Sequence, residues 1–208
     1  MSINNESRER LLECAKKEFL EKGFAKASLR NICSQAGLTT GAVYFLFKDK
    51  NGLFEAVVSG PLSELMQLMQ QHFAEEENAD ISAYSHVDGD HDFFAKQMVE
   101  LLYRNYDEMM ILLEKSQGSQ FEDLPDRVIT MLDAVYMKTA QQYADAVPGK
   151  RVNKYMLHWL SHIQVDAFIH LLTHERDMHK ALIKIKPVLD MLVRSWVEFI
   201  LEDDIKEQ

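Results

Sequence analysis

The sequence predicts an all-α fold, and three features of its pattern support that prediction. Apolar residues recur three and four residues apart through most of the chain, which is the spacing of one face of a helix. No segment alternates between apolar and polar residues in the manner of a strand. Gly23, Gly37 and Pro148-Gly149 each follow a helical pattern and end it. We therefore expect a series of helices with short connections.

Length and composition indicate a soluble globular protein of one large or two small domains. The chain has 208 residues, 47% of them hydrophobic and 27% charged, which is typical of folded soluble proteins. No apolar run approaches the roughly 20 residues that a membrane span needs. The N-terminal MSINNESRER lacks the apolar core of a secretion signal. A cytoplasmic location is therefore expected.

The chain has two cysteines, Cys14 and Cys33, so no disulfide framework is predicted. Cys33 lies between Ile32 and Ser34 in a helical pattern and is expected to be a buried thiol. The alternative is a redox switch that joins the two cysteines.

Charge is distributed unevenly along the chain. The formal net charge is −10, yet residues 1–52 contain nine lysines and arginines against six acidic residues, a balance of +3 that leaves −13 for the rest. A basic segment attached to an acidic body is compatible with binding a polyanion such as DNA, if the acidic part stays away from the phosphates.

Residues 28–50, SLRNICSQAGLTTGAVYFLFKDK, are predicted to form two short helices joined by a tight turn. Ser28 is a favourable N-cap for the first helix. Gly37 stands where a helix ends in the left-handed conformation, and Thr39 is expected to cap the second helix. Two helices joined by a short glycine-containing turn form the helix-turn-helix arrangement, in which the second helix enters the major groove of DNA.

With its flanks, this stretch resembles the DNA-binding domain of the TetR family of transcriptional regulators (TetR/AcrR-like). The resemblance covers about the first quarter of the chain, and residue type and spacing agree together. The matching residues are Leu11, Ala15, Phe19, Gly23, Phe24, Ser28, Ile32, Ala36, Gly37, Leu38, Thr39, Gly41, Tyr44, Phe47, Lys50 and Leu53.

The resemblance implies a DNA-binding domain at residues 1–52 and a helical effector-binding and dimerisation domain at 53–208. It also implies a homodimeric, ligand-responsive regulator, most often a repressor, that binds a palindromic double-stranded DNA operator and is released by a small apolar or aromatic effector. No catalytic activity and no cofactor are expected.

Residues at and beside the second helix are expected to contact DNA. The N-terminus of that helix offers backbone N–H groups to phosphate, a tyrosine hydroxyl can reach phosphate or a base, and a phenylalanine can contact a thymine methyl. Leu46 stands where the family often has histidine or another polar residue, so base discrimination is expected to rely on apolar contacts and DNA shape as well. The expected contact residues are Ser28, Arg30, Thr39, Thr40, Gly41, Tyr44, Phe45, Lys48 and Lys50.

The remaining segments predict further helices. The first should run from Glu6 to Lys22, and Asp49 should cap a fourth helix that kinks or breaks at Gly60-Pro61, where we expect signals to pass between the two parts. Residues 75–92 are polar and acidic and predict a loop, and the DGDHD within them lacks the full spacing of a calcium site. Later helices are predicted at 94–115, 128–143, 152–174 and 178–201, with Pro187 dividing the last.

The 152–174 segment is apolar around most of its circumference, which indicates burial against a partner as well as within its own domain. The resemblance to the TetR family implies that the last two long helices form the homodimer interface, and this apolar pattern supports that expectation. Methionines and aromatic residues of the body could line an effector pocket, although methionines at helical spacing are also ordinary core residues. The expected ligand-binding residues are Met98, Leu102, Tyr106, Met109, Tyr136, His158, Trp159 and His162.

His158, His162, Asp166, His170 and His174 recur every four residues. Residues at this spacing do not all lie on one face of the helix, and only neighbouring members of the series are near enough to share an ion. We expect hydrogen bonding rather than a metal site, with His162 and Asp166 the best metal-binding pair if one exists. Two alternatives stay open: a metal-responsive or metal-dependent helical protein that uses this series, and a helical interaction protein that has lost DNA binding.

Overall fold

A computed structural model describes residues 5–77 and 90–204 of the chain, with side chains for 5–75 and 93–204. The prediction of an all-α fold is confirmed. The elements are α1 (Asn5–Lys26), α2 (Leu29–Ala36), α3 (Thr40–Phe47), α4 (Lys50–Glu77), α5 (Asp90–Arg104), α6 (Tyr106–Glu114), α7 (Leu124–Ala146), β1 (Lys150–Val152), α8 (Lys154–His174), α9 (Met178–Phe199) and β2 (Leu201–Asp203). The chain divides into two compact units, Met1–Met66 with Arg104–Leu124, and Gln67–Tyr103 with Pro125–Gln208.

The first unit is built around a cluster of aromatic rings. Phe54 packs edge-on against Phe19 at 5.0 Å and Phe24 at 5.3 Å between ring centroids, and Phe121 lies 6.0 Å away. Helix α1 is interrupted at Gly23, whose φ of 73° and ψ of 166° are not helical, as predicted. This interruption places Phe24 in the same core as Phe19, one turn earlier on the helix.

The predicted helix-turn-helix is formed by α2 and α3. The Ser28 hydroxyl accepts the Asn31 N–H and so caps α2. Gly37 ends α2 in the left-handed conformation, with φ 69° and ψ 29°, and the Leu38 N–H then donates to the Cys33 carbonyl at 2.8 Å. Thr39 holds the N-cap position of α3, although its side chain makes no capping hydrogen bond.

Gly52 allows a close approach between the end of α3 and the start of α4. The predicted cap is present, because Asp49 Oδ1 accepts the Gly52 N–H at 2.9 Å. A Cβ atom at Gly52 would lie 1.9 Å from the Phe47 carbonyl oxygen, a backbone atom that cannot rotate away. The junction therefore requires glycine at this position.

Gly52→Ala should consequently lower the free energy of unfolding of the first unit by about 2–3 kcal/mol, the range of a clash that forces the backbone to move. Gly41→Ala in α3 is the matched control, because its Cβ would meet only Thr39 Oγ1 at 3.7 Å, an ordinary contact. That variant should be neutral or up to about 1 kcal/mol more stable. Chemical denaturation of both variants measures the difference, and equal stability would contradict the close approach.

Helix α4 runs unbroken from Lys50 to Glu77 with Pro61 inside it, so the predicted break at Gly60-Pro61 is wrong. A residue before proline avoids the helical region partly because its Cβ clashes with the proline ring, and Gly60 has no Cβ. Helix α9 likewise continues through Pro187. The predicted 75–92 loop is helical at both ends, to Glu77 and from Asp90, while residues 78–89, including the start of DGDHD, lie outside the described residues.

The single helix predicted at 94–115 is wrong, because the chain is interrupted at Asn105. Asn105 has φ −110° and ψ 36° and precedes α6, a position where asparagine is more favourable than inside a helix. Helix α5 belongs to the second unit and α6 to the first. In the first unit, α6 packs on α1, Lys16 Nζ donates to Glu108 Oε1 at 3.0 Å, and the Phe24 N–H donates to the Lys115 carbonyl at 2.8 Å.

Two buried clusters lie in the described part of the second unit. One contains Ala140, Ala144, Val152, Leu157 and Ile200, and the other Val99, Leu171, Ala181 and Ile185. Strands β1 and β2 pair antiparallel from Lys150↔Asp203 to Val152↔Leu201. The sequence did not predict this pair, since three residues are too few to show alternation.

The turn between α8 and α9 contains the carboxylate of Glu175, which should become protonated only at acidic pH. Lys184 Nζ and the Asp177 N–H both donate to Glu175, and the Lys184 hydrogen bond above all lowers the pKa of Glu175 from 4.5 to about 2. A lowered folded-state pKa gives stability that is complete above the unfolded-state value and is lost as the carboxylate is protonated.

Thermal unfolding should therefore show wild type more stable than Glu175→Gln above pH 5, with the difference closing as pH falls from about 4.5 to about 2. Asp166→Asn, on the exposed face of α8, is the control. A difference that stays constant across this range would contradict the role of Glu175.

Candidate functional site

Helix α3 has one buried and one exposed face. Ala42, Val43 and Phe47 are buried in the first unit. Tyr44 and Phe45 point outward and are 59% and 78% exposed. Since large apolar side chains are usually covered, two adjacent exposed rings on a short helix indicate a contact surface.

The N-terminus of α3 borders this exposed face. Thr39, Thr40 and Gly41 are all exposed, and the first N–H groups of a helix have no partner within it. A Cβ at Gly41 would make only an ordinary contact, so the fold itself does not require glycine there. A missing side chain at a helix N-terminus leaves room for another molecule to approach the backbone.

The C-terminus of α3 places two basic residues near the exposed face. Lys48 is exposed and has a φ of 70°, and the Asp49 N–H donates to the Phe47 carbonyl at 2.9 Å, which closes a strained γ-turn around Lys48. The Arg8 guanidinium lies over the Phe47 ring at 5.4 Å. The sequence did not single out Arg8, because its position depends on how α1 packs against α3.

Two of the expected contact residues already have partners within the first unit. Lys50 Nζ donates to the Ala25 carbonyl at 3.3 Å and lies 4.7 Å from the centroid of the Phe24 ring, and burial lowers its pKa. Contact with a phosphate would therefore require Lys50 to leave this position. The Ser28 oxygen caps α2, while Arg30 is exposed on the same helix.

A buried carboxylate connects α1 to the start of α2. Glu18 is only 2% exposed and accepts hydrogen bonds from Lys22 Nζ, the Ser28 N–H and Asn31 Nδ2. Burial alone would raise the pKa of Glu18, but these hydrogen bonds outweigh it and the pKa is lowered. Glu18 is therefore a carboxylate anion, and its hydrogen bonds hold the N-terminus of α2 in place relative to α1.

The second unit contains an apolar cavity. Tyr136 Oη donates to Gln164 Oε1 at 2.8 Å within it, and the His72 ring stacks on Phe94 at 3.7 Å between centroids. The described side chains that line it include no aspartate, glutamate, lysine or arginine; they are His72, Phe94, Ala95, Tyr136, Thr139, Leu160, Gln164, Phe168, Leu189, Leu192, Val193, Trp196 and Val197.

The structure does not bring the eight expected ligand-binding residues together, and of these eight only Tyr136 lines the cavity. Tyr106 and Met109 belong to the first unit, where Met109 is fully buried, because the chain is interrupted at Asn105. Met98 and Leu102 are buried in α5, and Trp159 is largely exposed. His158 and His162 contact each other instead of the cavity, since the cavity-lining face of α8 contains Leu160, Gln164 and Phe168.

The histidines of α8 form two separate pairs. His158 Nδ1 lies 2.6 Å from Asp133 Oδ2, and its Nε2 lies 3.2 Å from His162 Nε2. The His170 and His174 rings stack at 4.0 Å with 19° between their planes. Among the side chains described, those of residues 5–75 and 93–204, no group of three or more histidines, cysteines, aspartates and glutamates is arranged to hold a metal ion.

Both cysteines are free thiols, Cys14 half-buried and Cys33 buried. Burial raises the pKa of the Cys33 thiol, which makes it a poor nucleophile. Among the helices that the structure describes, none is long and apolar enough to cross a membrane.

Residues 11–57 match the family described as bacterial regulatory proteins of the tetR family. The segment is 39% identical over 64 residues to the HTH-type transcriptional repressor BepR of Brucella suis, covering 29% of this chain and 31% of that protein. It is 34% identical over 67 residues to the regulator BetI of Yersinia pestis, covering 32% and 34%. The chain thus matches about a third of the length of these curated relatives.

Solved structures resemble the whole fold. A TetR/AcrR-family regulator from Aquifex aeolicus has a TM-score of 0.58 and 22% identity, covering 89% of this chain and 99% of its own. NalD of Pseudomonas aeruginosa, the secondary repressor of the MexAB-OprM multidrug efflux pump, has a TM-score of 0.62 and 18% identity, covering 91% and 96%. These proteins are named as transcriptional regulators or repressors. Residues 11–57 therefore combine helix-turn-helix geometry with the sequence pattern of the tetR family, and the chain shares the fold of these solved structures.

Proposed function

We propose that the protein is a DNA-binding transcriptional repressor that acts as a homodimer and responds to a small apolar or aromatic effector. The exposed face of α3 supports the DNA-binding part of this proposal most strongly. Tyr44 and Phe45 project from a helix whose opposite side is fixed in the core, as expected of a helix that enters the major groove. The family match over residues 11–57 supports the same assignment.

Each exposed group on this surface has a proposed role. The N–H groups and hydroxyls at Thr39, Thr40 and Gly41 bind phosphate at the N-terminus of α3. Phe45 contacts a thymine methyl and Tyr44 a base edge or phosphate. Lys48, Arg8 and Arg30 are the cations that bind phosphate. The Ser28 hydroxyl donates a further hydrogen bond to phosphate. Lys50 also binds phosphate once its ammonium group leaves the Phe24 ring.

Helices α8 and α9 supply the proposed dimer interface. Large apolar residues remain exposed on both helices in the single chain, and covering them by a second copy removes that surface from water. A two-fold dimer presents two recognition helices at roughly 34–36 Å, one turn of B-DNA. The exposed apolar residues are Tyr155, Trp159, Met178, Ile183, Met191, Val197 and Phe199.

The cavity of the second unit is the proposed effector site. Its walls are mostly apolar and aromatic, and the Tyr136–Gln164 pair offers one polar contact. This composition suits a lipophilic, uncharged ring compound with a single hydrogen-bonding group. Binding releases the operator if the compound prefers the conformation with low DNA affinity.

Selection from a random duplex library tests the DNA-binding proposal. Wild type should enrich an inverted repeat whose half-sites are about one helical turn apart. A variant with Tyr44→Ala and Phe45→Ala should enrich no sequence. If wild type also enriches none, the chain is a helical interaction protein rather than a repressor.

Trp196 provides a test of the effector site, because it lines the cavity and Trp159 does not. In a Trp159→Phe background, 1-naphthol should change Trp196 fluorescence saturably. Leu160→Phe, which adds volume inside the cavity, should weaken that binding by at least about 10-fold, while Val147→Phe at an exposed position after α7 should not. Equal binding to both variants would contradict the assignment.

A further inference from the structure

Asp133 of α7 and His158 and His162 of α8 form a polar cluster that neither the DNA surface nor the cavity uses. We infer that His158 and His162 bind one divalent transition-metal ion through their Nε2 atoms, and that Asp133 orients His158 for this purpose. The site is independent of the proposed DNA binding. It differs from the pair favoured by the sequence, His162 with Asp166, because His158 turns toward both His162 and Asp133.

The hydrogen bond to Asp133 determines which nitrogen of His158 is available. An ionised carboxylate only accepts hydrogen bonds, so His158 Nδ1 carries the proton and donates to Asp133 Oδ2 at 2.6 Å. In a neutral imidazole the other nitrogen, Nε2, then carries a lone pair, which accepts the His162 Nε2–H at 3.2 Å until an ion displaces that proton. A histidine that donates Nδ1–H to a carboxylate and offers Nε2 to an ion is the usual arrangement of a metal-binding histidine.

The distance between the two Nε2 atoms suits a shared ion. Zinc–nitrogen bonds of 2.0–2.1 Å at a tetrahedral angle separate two nitrogens by about 3.3–3.4 Å. His158 Nε2 and His162 Nε2 are 3.2 Å apart, with the two rings 84° from parallel. A small ring rotation therefore lets both lone pairs converge on one ion.

The charge and exposure of the cluster also favour a cation. Asp133 Oδ1 is inaccessible to water and has no hydrogen-bond partner among the residues with described side chains. An ion on His158 brings positive charge toward this under-coordinated carboxylate. The His158 side chain is 55% exposed, so ions and water can reach Nε2.

Ligand type and number define the class of ion. Imidazole nitrogen suits zinc, copper, nickel and iron, whereas calcium and magnesium prefer oxygen. In the described part of the chain no third ligand joins the pair, and water completes the coordination. The ion is therefore exchangeable, unlike the closed four-ligand sites that stabilise a fold.

The same helix contains a matched control. His170 and His174 have the same four-residue spacing, but their rings are nearly parallel, 19° apart, and His174 Nδ1 faces the His170 carbonyl oxygen at 2.9 Å. Lone pairs in two stacked planes do not converge on one ion. This second pair should therefore bind metal much more weakly.

Calorimetric titration of untagged, chelator-treated protein with Zn²⁺ tests the inference. Wild type should bind one ion per chain. His158→Gln and His162→Gln should each weaken binding at least 10-fold, and Asp133→Asn by about 10-fold to 100-fold. The double variant His170→Gln with His174→Gln should bind like wild type. Circular dichroism confirms that each variant remains helical.

Two results would overturn the site. In one, wild type binds Zn²⁺ no more tightly than the variant lacking both His158 and His162. In the other, loss of His170 and His174 weakens binding as much as loss of His158 and His162, which would mean that any surface histidines suffice.

Discussion

Replacing Tyr44 and Phe45 together by alanine is expected to weaken binding to the operator duplex by about 100-fold, or about 3 kcal/mol. Both rings project into solvent from α3, so their atoms are available for groove contacts, and the proposed homodimer presents each ring twice. Stability should change by no more than about 0.5 kcal/mol, because neither ring packs in the core. Fluorescence anisotropy with a labelled duplex measures the affinity.

Phe93→Ala is the control for this experiment. Phe93 is 63% exposed on α5, so its removal deletes a similar exposed ring away from α3 and should leave DNA affinity unchanged. If the double variant binds DNA as well as wild type, the exposed face of α3 is not the contact surface.

Glu18→Ala is expected to lower the free energy of unfolding of the first unit by about 3 kcal/mol or more. Glu18 is 2% exposed and accepts hydrogen bonds from Ser28, Asn31 and Lys22. Hydrogen bonds to a charged group contribute about 1.5–3 kcal/mol each, and the donors left behind would be partly buried. Because these donors lie at the start of α2, DNA affinity should fall too.

Glu18→Gln separates the loss of charge from the loss of an acceptor. One amide oxygen still accepts a hydrogen bond, so this variant should be less destabilised than Glu18→Ala. The lowered pKa of Glu18 also predicts a pH effect: its contribution is complete above its ordinary value of 4.5 and is lost as pH falls below that value. Denaturation series at pH 7 and pH 3 measure both effects. Equal stability of wild type and Glu18→Ala at pH 7 would contradict the role of Glu18.

The helix-turn-helix could be predicted because each of its signals is local. Ser28 caps α2 through a hydrogen bond three residues away, and Gly37 ends that helix by its own backbone conformation. The requirement for glycine at position 52 was not predictable in this way. It depends on the path of the chain after Phe47, which no local propensity encodes.

The residues that line the cavity were not predicted from the sequence for a related reason. A helical stripe shows which residues face a core but not which core they face. Met109 and Met98 have the same apolar character, yet the interruption at Asn105 places α6 in the first unit and α5 in the second. His72, Phe94 and Gln164 of the cavity were not singled out, because only the packing of several helices brings them together.

The histidines of α8 show the same limit at the level of single side chains. Both pairs have the same four-residue spacing, so spacing alone does not distinguish their geometries. The carboxylate of Asp133, on a different helix, turns His158 toward His162, whereas His170 and His174 stack. The difference between the two pairs therefore arises from α7, which spacing along α8 does not reveal.

The salt dependence of binding to the selected inverted repeat tests the central claim, that this protein is a dimeric repressor with α3 in the major groove. With about 6–10 phosphate contacts, affinity should fall about 10³-fold to 10⁵-fold between 50 and 200 mM salt. Lys48→Ala should reduce the slope of log affinity against log salt by about 2, one for each copy in the proposed dimer. Two results would contradict this claim. One is an affinity for DNA that does not change with salt. The other is a slope that Lys48→Ala leaves unaltered, together with wild-type affinity in the variant with Tyr44→Ala and Phe45→Ala.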